Sequence, residues 1–116
     1  LHAITNALSS SIGGRSLGVY ADELCKKGVK DSKEYIKIIL QKIKEKNYSI
    51  SNVGISIECK MPRISDYEEK IKDSVANILG IKTDDVGINA TSGEELTEFG
   101  KGKGIYVIAV VGLRKG

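Results

Sequence analysis

Apolar residues recur at helical spacing from the first position. Leu1, Ile4, Ala7 and Leu8 form one stripe while His2, Asn6 and Ser9 fall toward another face, which predicts a helix over residues 1–11. Gly13, Gly14 and Gly18 break the periodicity, so residues 12–30 read as a long connection with a turn of helix around residues 22–26. Connections of that length in small domains are often functional. Asp31 and Ser32 are capping types, and behind them Ile36, Ile39, Leu40 and Ile43 alternate by turns with Lys33, Lys37, Lys42 and Lys44. That pattern predicts an amphipathic second helix.

From residue 50 the period drops to two. Val53, Ile55, Ile57 and Cys59 alternate with Asn52, Gly54, Ser56 and Glu58, as in a half-buried strand, and Pro62 closes it. Ser65 and Glu68 form an S-x-x-E capping box ahead of Tyr67, Ile71, Val75, Ile78 and Leu79, with Gly80 as the stop of a third helix. Alternation returns through Val86, Ile88 and Ala90 in a strand over residues 84–91. Residues 105–113 are apolar on both faces, and such a strand must be covered on both sides. The expected architecture is α+β: a mixed sheet covered by helices on one face, with another subunit as the cheapest cover for the other.

Composition narrows the picture. The 116 residues suit one domain, 1–116, and 41% apolar with 28% charged residues marks an ordinary globular chain. A net charge of +3, from 18 basic and 15 acidic residues interspersed along the helices, gives no footprint for nucleic acid. No apolar run approaches the roughly 20 residues of a membrane span. Cys25 and Cys59 have neither CxxC nor zinc-ribbon spacing, so both are expected as free thiols in a cytoplasmic compartment, or in an organelle stroma after removal of a transit peptide. The strand alternation makes Cys59 a core thiol rather than a nucleophile.

The densest chemistry lies in "TSGEEL", residues 91–96. Ser92 and Glu95 form a second capping box, so a short helix starting at Gly93 would aim free N–H groups at an anion. The hydroxyls of Thr91 and Ser92 can join the same oxygens, and Glu94 can hold a divalent cation beside them. A plain capped turn accounts for the same letters. Arg15, Lys60, Arg63, Lys101 and Lys103 lie near turns or strand ends, where cations can meet a phosphate.

Taken in order, "LHAITNAL", "NVGISIECKMPRI", "DDVGINATSGEEL" and "GKGKGIYVIAVVGL" resemble the 2-C-methyl-D-erythritol 2,4-cyclodiphosphate synthase family of isoprenoid biosynthesis, over the part downstream of that family's first strands. The resemblance implies a homotrimeric lyase that cyclises 4-diphosphocytidyl-2-C-methylerythritol 2-phosphate and releases CMP. It places His2 as a zinc ligand, Thr91 and Ser92 on the diphosphate, and Glu94 on Mg²⁺ or Mn²⁺. Cys59, Lys60, Met61, Pro62 and Arg63 correspond to the segment that cradles cytosine, and Lys101 to an arginine of the later glycine-rich turn, keeping its charge but not its bidentate fork. Gly18 survives from a substrate-binding loop in which Ser16 replaces a carboxylate. Asn6 stands for a helix aspartate, Gly93 for a hydroxyl, and the family's Asp-x-His zinc pair is absent from these residues. Those departures fit an alternative: a non-catalytic homologue serving as a trimeric nucleotide-binding or scaffold protein.

Overall fold

The computed structural model describes residues 1–15, 26, 28, 32–60, 63–92, 96–99 and 101–116. The period-two pattern forms β1 (Tyr48–Glu58), which starts two residues before the expected point. Val53, Ile55 and Ile57 are buried on one face of β1, and Cys59, just past its end, continues that face. β1 is the middle of a three-stranded mixed sheet. It runs parallel to β2 (Val86–Thr91), with Val53 opposite Val86 and Glu58 opposite Thr91. It runs antiparallel to β3 (Tyr106–Lys115), with Ile57 opposite Val107 and Glu58 opposite Tyr106.

Among the described residues, three helices cover the buried face. α1 (His2–Ser11) contributes Ile4 and Leu8, α2 (Ser32–Glu45) contributes Ile36, Ile39 and Ile43, and α3 (Glu68–Leu79) contributes Val75, Ala76 and Leu79. The lysines expected on the solvent side of α2 are exposed. Gly80 stops α3 in the left-handed region, at φ 70°, where a side chain is disfavoured. Leu8 is 0% exposed, and Leu8→Ala is expected to cost about 2–5 kcal/mol of folding stability in denaturant titrations, from lost transfer energy plus an unfilled cavity.

Several local expectations are corrected. Ser9 faces inward with Thr5, because the Thr5 hydroxyl donates to the Leu1 carbonyl at 3.0 Å and the Ser9 hydroxyl to the Arg15 carbonyl, so neither is buried unpaired. The capping box at Ser65 does not form. A 3₁₀ turn, Ile64–Asp66, takes up Ser65, and Tyr67 becomes the N-cap of α3 without a side-chain cap bond. A second 3₁₀ turn, Thr83–Asp85, delays β2 to Val86. Gly93, Glu94 and Glu95 lie outside the described residues. Residues 96–99, just beyond them, form bend and turn rather than helix.

β3 is apolar on both faces, as its sequence requires. Val111 and Leu113 pack against the core, whereas Tyr106, Ile108 and Val110 project from the opposite face and are 47%, 49% and 68% exposed. That face carries Asn52, Gly54 and Ser56 of β1, also exposed, and no helix among the described residues covers it.

Candidate functional site at the carboxyl ends of the parallel strands

Because β1 and β2 are parallel, both strands end on the same side of the sheet, the geometry that opens a crevice beyond the carboxyl ends of strands. The Cys59 N–H donates to the Thr91 carbonyl at 3.1 Å and extends the ladder one step, so the turns beyond the two strands start side by side. Between them lies a pocket of about 750 Å³. Lys60 and Arg63 line it from one turn, Thr91 and Ser92 from the other, and the Ile64–Asp66 turn with Glu68 closes the third side. Five site residues expected from the sequence thus share one cavity: Cys59, Lys60, Arg63, Thr91 and Ser92.

The arrangement suits an anion with a polar partner. Lys60, Arg63, Thr91 and Ser92 are all exposed, while Asp66 and Glu68 offer acceptors for donor groups of the same ligand. The sequence pattern missed Asp66, because its letters are those of a helix start. Cys59 is buried, in keeping with its place in the strand alternation. Gly18, Cys25, Met61, Pro62 and Glu94 lie outside the described residues.

His2 sits elsewhere. It lines a groove of about 740 Å³ between α1 and β3, together with Asn6, Arg15, Ile105 and Val107. This groove and the strand-end pocket share no lining residue among the described residues. A smaller hollow of about 440 Å³ on the open sheet face borders both, through Thr91 on one side and Ile108 on the other. Among the described residues, no three His, Cys, Asp or Glu side chains come together as a metal site.

Residues 101–103 of the glycine-rich return to β3 form a turn. Its N–H groups donate from Lys101 to the Thr97 carbonyl at 3.0 Å and from Lys103 to that of Glu98 at 3.0 Å. Lys101 and Lys103 both pair with the Glu98 carboxylate, at 3.6 and 2.8 Å. All three side chains are more than half exposed, so these pairs contribute little stability and leave the ammonium groups exchangeable with an incoming anion.

Fold and pocket define a single-sheet α+β protein with a cation-flanked crevice at the ends of two parallel strands. The chain belongs to the YgbB family, whose model matches residues 1–114, as the motif order in the sequence implies. It is 40% identical over 111 residues to the 2-C-methyl-D-erythritol 2,4-cyclodiphosphate synthase of Chlamydia muridarum, covering 95% of this chain and 62% of that protein. It is 34% identical to the bifunctional enzyme IspD/IspF of Sulfurimonas denitrificans, over 98% of this chain and 30% of that one. The chain therefore spans about three fifths of the Chlamydia relative's length. Among solved structures, the fold matches IspF of Plasmodium falciparum in its CDP complex with a TM-score of 0.84 at 23% identity, over 99% of this chain and 70% of that one. It matches the synthase of Plasmodium vivax at 0.81 and 25% identity, over 99% of this chain and 67% of that one. No described helix is long and apolar enough to cross a membrane.

Proposed function

We propose that the protein is a cyclodiphosphate synthase, converting 4-diphosphocytidyl-2-C-methylerythritol 2-phosphate into the 2,4-cyclodiphosphate and CMP. The observation that carries this is the convergence of Lys60, Arg63, Thr91 and Ser92 on one strand-end pocket in a member of the YgbB family. In this reaction an oxygen of the 2-phosphate forms a bond to the β-phosphorus of the same molecule. The bond from that phosphorus to the bridging oxygen breaks, and CMP departs with the electron pair. No protein nucleophile is needed, so the task of the chain is positioning and charge neutralisation. Thr91 and Ser92 align the diphosphate, Lys60 and Arg63 offset its charge beside the cytidine, and Gly18, Met61 and Pro62 complete the substrate contacts. Lys101 leaves Glu98 for a phosphate oxygen.

The family resemblance implies Zn²⁺ at His2 and Mg²⁺ or Mn²⁺ at Glu94. A zinc site needs three protein ligands and an open position, and the described residues supply only one imidazole in the groove beside α1. These residues alone do not fit zinc, and the steps above pass through no metal. The resemblance implies an Asp-x-His pair for the remaining ligands, and these residues contain none. A homotrimer accounts for the separation of His2 from the strand-end pocket, with each complete site formed between copies and the open sheet faces packed together.

CDP is expected to raise the melting temperature by mass action, by the several degrees that about 2 kcal/mol confers on a domain of this size. Scanning calorimetry with millimolar CDP checks this, and no shift with or without Mg²⁺ contradicts the nucleotide pocket. CDP binding without CMP release, in protein carrying the upstream strand, would identify the non-catalytic homologue instead.

A further inference from the structure

We propose that Glu58 is a positioning residue for the strand-end pocket, acting through a clasp that fixes the glycine-rich turn against which Lys60 lies. The inference rests on the nucleotide reading above. Glu58 ends β1, half-buried, with Thr91 opposite it on one side and Tyr106 on the other. Its carboxylate accepts a hydrogen bond from the Thr97 hydroxyl at 2.7 Å. Two residues on, the Phe99 ring stacks on Tyr106 with centroids 5.2 Å apart. The return segment is therefore pinned across the end of the sheet at two neighbouring points.

The pinned segment then reaches Lys60. Gly102 adopts φ +87°, and a Cβ placed there would lie 3.7 Å from Cδ of Lys60, so the lysine stem runs along the turn. Lys60 also lines the pocket. The turn thus serves as a rail that limits the rotamers of a long side chain, and limiting them before the ligand arrives reduces the entropy lost on binding. Glu58 touches no ligand in this scheme. It fixes the rail, the rail orders Lys60, and Lys60 meets the phosphate.

Calorimetric titration of CDP into the full-length protein tests this with Glu58→Ala, Glu58→Gln, Lys60→Ala and the double variant Glu58→Ala/Lys60→Ala. Glu58→Ala should weaken CDP binding about five- to tenfold, the scale of one hydrogen bond's contribution. Glu58→Gln keeps an acceptor oxygen for Thr97 and should bind within about twofold of wild type. The double variant should be no more than about twofold weaker than Lys60→Ala, because Glu58 has nothing left to position. Amide exchange at Lys101 and Lys103 should quicken in Glu58→Ala. Wild-type affinity in Glu58→Ala, additive losses in the double variant, or unchanged exchange overturns the positioning role. Wild-type protein that does not bind CDP overturns the nucleotide reading and the role with it, an outcome distinct from all three.

Discussion

Val110→Asp is expected to convert a trimer into a folded monomer. Val110 is 68% exposed on the face of the sheet that no described helix covers, and it shares that face with Ile108 and Tyr106. In the proposed assembly these side chains meet their counterparts, and a carboxylate there would lose its hydration for no partner, at a cost of several kcal/mol per copy. In an isolated chain the same carboxylate points into water, so the fold survives. Val111→Asp provides the contrast. Val111 packs against the core on the helix-covered side, and its replacement should unfold the chain instead. Sedimentation equilibrium and far-ultraviolet circular dichroism separate the two outcomes. A stable wild-type monomer at micromolar concentration would rule out the trimer.

The second large effect concerns metals. In protein carrying the upstream Asp-x-His strand, His2→Ala should remove zinc and lower CMP release by about a hundredfold or more, since it takes one of three ligands from a site that orients a phosphate. Glu94→Gln should leave zinc in place and weaken the dependence on Mg²⁺, because an amide oxygen replaces a carboxylate on a hard cation. The 116 residues alone should release little CMP, given the single imidazole in the groove beside α1. Metal content by mass spectrometry and a CMP assay decide the matter. Ordinary turnover by the 116-residue chain, or full activity in both variants, would contradict the assignment.

The order of elements is legible in the sequence because burial imposes period. Val53, Ile55 and Ile57 are buried and Asn52, Gly54 and Ser56 exposed, and the lysines of α2 face water, as alternation and helical spacing require. Boundaries are less legible where side chains have two uses. Ser65 and Glu68 spell a capping box, yet the backbone closes a 3₁₀ turn from the Tyr67 N–H to the Ile64 carbonyl at 2.8 Å, and Ser65 then sits too early to cap α3. Ser9 has the spacing of a surface residue, but the Arg15 carbonyl gives its hydroxyl a buried partner. The strand-end pocket is legible in part: Lys60, Arg63, Thr91 and Ser92 stand out singly, but only the parallel register of β1 and β2 brings them together. Glu58 carries no signal, because its meaning depends on Thr97 returning across the sheet.

The middle position of β1 also governs how the protein is made. Ser49 on β1 lies opposite Arg114 on β3, 65 positions later in the chain. On the ribosome, β1 and the helices around it are synthesised long before that partner. Until β3 arrives, the central strand presents an open row of N–H and C=O groups next to the buried side chains of Ile55 and Ile57, the kind of edge that captures other chains. Loop closure over such a distance is slow compared with local helix formation. Completion of the nascent fold therefore waits for the last strand, and translational pausing between β2 and β3 would prolong the interval in which that edge stays open.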